Sequence, residues 1–427
     1  MIAASAICIN AEVKAQDDEF MPEMVGVPNF YFDAISLAST DPGMSRLDLY
    51  AEVPYSALHF YKLNDSFHSN YDLTFSVSDS LELLIDEKWV SESLDAKNYS
   101  ESVSTHISNL TQRSFSLHPG SYVIEVRLKD NETQKITHQK RRVVVRDYST
   151  PQFNMSDIML VSRLSRDSAK VTIFPNISGI VSNERDTLTL FFEAYGSLAI
   201  DSVRFVLSVR NLGGMIMLSD TMMQQFKTTR KTNFPTIQVT HLVAGDYLLQ
   251  IKAVPYVATD TGISRDTIIS SVKPFSIRMK GLPFSINDLK KAIDQLQYII
   301  DSDSLDAIRA APSDRQRDLF MSFWKKKDPT PNTERNELME EYYSRVQYAN
   351  KHFGRFTEGW KSDMGMVYII FGAPNNVESQ PFPVDSKPRE IWTYYELNQQ
   401  FVFVDLTGFG DYRLQNSLWD LYRARSR

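Results

Sequence analysis

The sequence predicts a multidomain chain: two β-sandwiches followed by an α+β unit in which helices pack on an antiparallel meander. Three observations lead there. Side chains alternate with a two-residue period through the first two thirds, one strand entry recurs 125 residues on, and helical periodicity begins only after residue 285. A chain of 427 residues with 42% hydrophobic content can bury several cores, since one domain takes roughly 100 to 200 residues. The expected division is 28–149 and 151–281 for the sandwiches and 284–427 for the α+β unit, with breaks at Ser149-Thr150-Pro151 and Lys280-Gly281-Leu282-Pro283.

The two sandwiches rest on a pair of segments, "LHPGSYVIEVRLKD" (117–130) and "LVAGDYLLQIKAV" (242–254). Both read Leu-x-x-Gly-x-Tyr and then alternate: Tyr122, Ile124, Val126 and Leu128 oppose Glu125, Arg127 and Lys129, as Tyr247, Leu249, Ile251 and Ala253 oppose Gln250 and Lys252. This entry resembles the tyrosine corner of immunoglobulin-like sandwiches, in which the hydroxyl bonds back to the backbone just before its strand. Tyr122 and Tyr247 are therefore expected in equivalent corners. Runs such as "DLTFSVSDS" and "SVRFVLSVRN" supply further strands.

For the C-terminal unit, "SINDLKKAIDQLQYII" predicts a helix opened by Ser285, with Leu289, Ile293, Leu296 and Ile300 on one stripe. A second helix starts near Ser313 and carries Leu319, Phe320, Phe323 and Trp324. A third, 334–352, buries Leu338, Tyr342, Val346, Ala349 and Phe353 and ends at Gly354. Met366 to Phe371 reads as a strand, with Pro374 at its end; "EIWTYYEL" and "QFVFVDLTGFGDYRLQ" add strands joined through Thr407-Gly408-Phe409-Gly410.

Several functions are excluded by the same reading. A net charge of −7 offers no basic face to displace counterions, so no nucleic acid is expected as a partner; the basic end "LYRARSR" reads as a solvated tail. Six Asn-x-Ser/Thr sequons, all in the first half of the chain, report a Ser/Thr/Asn-rich β surface. The seven histidines show no metal spacing, and "DSDSLDAIRAAP" fails as a calcium loop because Asp306 and Pro312 stand where glycine and glutamate are needed. Neither Gly408-x-Gly410 nor Gly359 to Gly365 has the form of a phosphate-binding loop. No metal, cofactor or catalytic residue is expected. Residues 1–15 read as the remains of a signal peptide, an apolar stretch through Ile9 followed by the cleavage-like Val13-Lys14-Ala15. Cleavage there removes Cys8, the single cysteine, which suits an oxidising compartment. No transmembrane span is expected.

The segments "FWKKKDPTPNTERNE", "RFTEGWKSDMGMVYIIFGAPNNV", "EIWTYYEL" and "FVFVDLTGFGDYRL" together resemble the GWxTD-domain family of bacterial proteins, over about 285–415, with Ser362 where the family name has threonine. The resemblance implies a fold and a setting, an exported protein of Bacteroidota with β-rich N-terminal domains, and no reaction. The residues of the motif admit two readings. In one, Gly359, Ser362, Gly365, Gly372, Pro374, Trp392, Gly408 and Gly410 define the fold, Trp360 is buried, and Ser362 or Asp363 caps a turn. In the other, Trp360 is a flat platform in a groove where Asp363, Asp405, Asp411 and Arg413 orient a ligand. The expected function is an exported, non-enzymatic scaffold or binding protein of the periplasm or cell surface, with envelope proteins, peptides or glycans as partners. The alternative is a hydrolase using Asp363 and Asp405.

Overall fold

A computed structural model describes residues 30–415 apart from 150–152, 168–169, 184, 260–261, 266–267, 284, 332, 334–335, 355–356 and 381–386. The signal-peptide reading, Cys8 and the basic tail lie outside the described residues, as do Thr150 and Pro151 of the first expected break. The chain is multidomain and mostly β, with several sheets and a set of C-terminal helices.

In the first unit, strands Tyr31–Ala38, Ser45–Pro54 and Ser108–Leu117 form one antiparallel sheet. Tyr61–Leu63, Ser66–Ser78, Leu84–Ala96, Gly120–Asp130 and Ile136–Val145 form a second. Alternation decides which face is buried. Tyr71, Leu73, Phe75 and Val77 are all fully buried, while Asp72 and Thr74 between them are not. They join Ile124, Val126, Leu47, Leu49 and Phe115 in one core. A single helical turn, α1 (Tyr99–Ser102), is capped by Asn98, whose Oδ1 accepts the Glu101 N–H at 2.9 Å.

The second unit repeats the pattern. Leu84–Ala96, Ser66–Ser78, Gly120–Asp130 and Ile136–Val145 pair in that order across the first unit's sheet. Ile216–Gln225, Ile200–Asn211, Gly245–Thr259 and Ile269–Arg278 do the same in the second. Tyr122 Oη donates to His118 O and Tyr247 Oη to Val243 O, both at 2.8 Å and both four residues back. A short strand, Ile180–Ser182, adds in parallel to Ile269–Arg278, a pairing the sequence pattern does not announce. The core lies between this sheet and the one containing Met159–Asp167 and Thr187–Tyr195.

The two β units meet through an apolar cluster, with Ile35, Leu37 and Tyr50 against Met159, Val161 and Phe191. Charged groups sit beside it. Asp33, 4% exposed, is ion-paired to Lys273 and lies 3.8 Å from Arg141. Asp157 accepts the Ser36 N–H at 2.8 Å and pairs with Arg146 at 3.2 Å. The Ala38 N–H donates to Tyr195 Oη at 3.1 Å. Buried carboxylates are tolerated where cations and N–H groups converge on them, so these bonds define how the two units are joined.

The last strand of the second β unit ends at Arg278, and helices follow: α2 (Leu289–Gln295), α3 (Ser302–Ala310), α4 (Ser313–Lys326), α5 (Glu337–Phe353) and α6 (Asp363–Phe371). Several expectations are corrected. Asp288, not Ser285, caps α2, and its Oδ1 accepts the Lys290 N–H at 2.9 Å. The segment weighed as a calcium loop is α3, capped by Asp301. Leu319 and Leu338 are exposed; on α5, Tyr342, Val346 and Ala349 are buried as expected, and Met339 and Tyr343 join them on the inward face in place of Leu338.

The largest correction is Met366 to Phe371, which belongs to helix α6 and not to a strand. An unbroken apolar run does not separate buried helix from buried strand. Here Ile369 enters the helical core and Val367 the core over the sheet, so the helix is apolar all round because it is covered on both sides. Gly372, at φ +80°, ends α6, and Pro374 stands in the link to the next strand and not at a strand's end. Asn376–Gln380, Arg389–Tyr394, Gln399–Asp405 and Tyr412–Leu414 form an antiparallel meander in sequence order, the last three strands as expected and the first in a segment the sequence pattern does not announce. Trp392, 2% exposed, packs on Phe353 and Phe403 at its centre.

Candidate functional site

The GWxTD stretch begins where α5 ends. Gly359 and Trp360 form a single 3-10 turn that lies against the backbone of Ala349 and Asn350. A Cβ on Gly359 would fall inside the van der Waals radius of Ala349 O, and one on Gly365 inside that of Gly359 O. Both glycines are therefore required by close backbone approach. Ser362 completes the turn: its Oγ donates to Gly359 O at 2.7 Å and accepts the Gly365 N–H at 3.0 Å as the N-cap of α6. Serine supplies the hydroxyl this needs, so the departure from threonine costs nothing visible.

Trp360 is 3% exposed and lies edge-on to Tyr298, with ring centroids 6.3 Å apart. Its backbone is pinned at both ends, N–H to Asn350 Oδ1 at 3.1 Å and C=O from Tyr298 Oη at 2.8 Å. The indole N–H donates to Glu358 Oε2 at 3.1 Å, and Lys361 lies over the ring at 5.1 Å. The platform reading is corrected: no face of the indole is open to a ligand.

The polar residues expected beside it are each engaged in bonds of their own. Asp363 Oδ2 accepts the Leu414 N–H at 2.8 Å, which ties the start of α6 to the last strand. Asp405, 4% exposed, holds the loop that follows it. Its Oδ1 accepts from Thr407 N at 3.2 Å, Thr407 Oγ1 at 3.1 Å and Gly408 N at 2.9 Å, and its Oδ2 from Gly410 N at 2.6 Å. Burial opposes ionisation of Asp405, but the hydrogen bonds from Gly410, Thr407 and Gly408 outweigh it and hold the carboxyl below the usual range. A carboxylate so bonded is a loop staple and is poorly suited to exchange protons with a substrate. Asp411, just before the last strand, pairs at 3.0 Å with Arg413 within it, and the pair is partly exposed. Gly408 and Gly410 both have positive φ, as the stapled loop requires.

An open depression beside the motif is built from residues that the sequence reading did not nominate as ligand-binding. It measures about 420 Å³ and is lined by Lys291, Asn350, Gly354, Thr357, Glu358 and Gly359. Glu358 is its charged centre, ion-paired to Lys291 and, at 2.9 Å, to Lys361. The hydrogen bonds from Lys291 and Lys361 pull its pKa down to about 2. Glu358 was legible as the residue before Gly359-Trp360; Lys291, on α2, carries no local signal. Among the described residues no group of His, Cys, Asp and Glu has metal-site geometry, and no helix is long and apolar enough to cross a membrane.

Comparison with known proteins places the family model for the GWxTD domain on residues 263–421, beginning in the last strands of the second β unit, earlier than the quoted segments suggest. No curated protein matches the chain. Among solved structures, the chain is similar to a β-glucuronidase of Bacteroides uniformis at 10% identity and TM-score 0.19, with 30% of this chain and 13% of that chain covered. It is similar to dimeric latent PorU of Porphyromonas gingivalis at 11% identity and TM-score 0.22, with 59% and 20% covered, and to pT26-6p at 11% identity and TM-score 0.20, with 79% and 84% covered. The chain thus spans a small part of the first two proteins, and likenesses at these scores define no common fold.

Proposed function

We propose that this chain, whose C-terminal third carries a GWxTD domain, is an exported, non-enzymatic scaffold or binding protein of the bacterial cell envelope. The observation that carries the reading is the engagement of the motif's own polar groups. Ser362 caps α6, Asp363 holds the last strand, and Asp405 staples a loop. The GWxTD stretch thereby ties helices to sheet, and the surfaces left for partners belong mainly to the two β units. Their reading as immunoglobulin-like sandwiches, modules that space and present, is part of the same proposal. It is supported by paired sheets around a shared core and by the two tyrosine-to-backbone bonds. Export is supported by the apolar stretch before Val13-Lys14-Ala15. Envelope proteins, peptides or glycans are the proposed partners.

The test has two arms. The gene, expressed from its native locus, should give protein in the periplasmic or surface fraction; a purely cytosolic pool sinks the export reading. Purified protein and its Asp405→Asn and Asp363→Asn variants are then assayed on ester, peptide and glycoside substrates. Turnover that vanishes in either variant while hydrogen-exchange protection of α5 and α6 is unchanged would replace the scaffold with a hydrolase acting through these aspartates.

A further inference from the structure

Strand Ile216–Gln225 stands at the margin of its sheet and pairs with Ile200–Asn211 alone. Its ten residues carry one charge, Asp220, and neither proline nor glycine. The strand in the equivalent place of the first unit, Leu84–Ala96, carries Asp86, Glu87, Lys88, Glu92 and Asp95, the kind of charge that keeps an exposed edge from pairing with another chain. Leu218 and Met222 pack against the core, and Met223, of the opposite parity, is 61% exposed. The hairpin tip leading into the strand adds exposed Leu212 and Met215. The Thr221 N–H donates to the carboxylate of its neighbour Asp220 at 2.7 Å, so it faces away from Ile200–Asn211. At the far end Lys231 donates to Gln225 O at 2.8 Å. Between them, Ser219 to Met223 has no neighbouring strand on its outer side among the described residues.

We propose that two copies of this chain join along this edge, their Ile216–Gln225 strands antiparallel about a two-fold axis at Thr221. A two-fold axis perpendicular to the sheet sets core-facing side chains opposite core-facing ones, so it passes at a residue and not between two. An axis at Asp220 would oppose two carboxylates, which is unfavourable. An axis at Thr221 opposes Thr221 with Thr221, Ser219 with Met223 and Asp220 with Met222, so no like charges meet and each exposed Met223 gains a cross-strand neighbour. The Thr221 N–H exchanges the Asp220 carboxylate for the partner copy's carbonyl. Asp220 therefore acts as a guard that keeps the association weak and reversible.

The experiment uses the full chain with Cys8→Ser. Sedimentation velocity should show the mass double between low-micromolar and several-hundred-micromolar protein. Thr221→Pro removes an N–H that the native sheet does not use, and should raise the dissociation constant by about tenfold or more. Residues directly opposed across such a pair lie about 5.5 Å apart at Cα, within disulfide reach. Thr221→Cys should therefore give a disulfide-linked dimer on oxidation, and Ser219→Cys, which faces Met223, should not. Melting curves establish that the variants are folded. A monomer at every concentration overturns the proposal and would leave the edge to an extended peptide of another protein. A dimer indifferent to Thr221→Pro, or equal cross-linking at positions 219 and 221, overturns it as well.

Discussion

Truncating Trp360 measures how much of the GWxTD stretch is structural. The side chain is 3% exposed within the core shared by α2, α4, α5 and α6, so Trp360→Ala removes on the order of 200 Å² of buried aromatic surface. At about 25 cal/mol per Å² that is about 5 kcal/mol, and measured truncations of this kind cost about 3 to 5. The lost indole bond to Glu358 acts in the same direction. About 4 kcal/mol is expected, equivalent to roughly a thousandfold in an equilibrium constant. In a multidomain chain a single melting temperature does not isolate this unit, so the assay is hydrogen exchange in the segments of α5 and α6. Protection there should fall by about three orders of magnitude, up to the limit set by the stability of the unit. The strands of the first β unit should keep theirs. Asp363→Asn, which weakens one bond to the Leu414 N–H, should lower protection by no more than about 2 kcal/mol. If Trp360→Ala leaves α5 and α6 protected within tenfold, the burial argument fails.

Gly359→Ala places a methyl inside the radius of Ala349 O, and because the obstacle is backbone it should cost at least about 3 kcal/mol, read as early loss of the helical signal in a urea titration. Tyr122→Phe and Tyr247→Phe each delete one hydroxyl bond of 2.8 Å and should cost about 1 kcal/mol each, additively, because they sit in separate cores; coupling between them in a double-mutant melt would contradict the separation of the units. Glu358, drawn down to about 2 by Lys291 and Lys361, has a folded pKa below its unfolded one. Its contribution is present above the unfolded carboxylate range near 4 and is lost as pH falls toward 2. Glu358→Gln should accordingly flatten the acid limb of the C-terminal unit's stability between about pH 4 and 2, and an unchanged limb would show that the ion pairs contribute nothing.

What the sequence determined by itself was whatever repeats locally. A two-residue period suffices to place strands and to say which side chains point inward, and Leu-x-x-Gly-x-Tyr suffices to place two tyrosines whose hydroxyls bond four residues back. The last three strands of the meander and the loop between two of them are legible for the same reason. So are the two motif glycines as points of tight backbone path, although what they approach is not. Tertiary structure decided the rest. Asp33 meets Lys273 across 240 residues, and Lys291 reaches Glu358 from a helix far earlier in the chain; no local pattern announces either pair. The run Met366 to Phe371 carries apolar residues for two cores at once, so its periodicity is silent and only its position between helices and sheet makes it a helix. Trp360, Asp363 and Asp405 have side chains equally fit for a ligand site or for a fold. Which of the two they serve depends on the backbone groups that the topology brings within hydrogen-bonding distance, and that is decided by the packing of the whole unit.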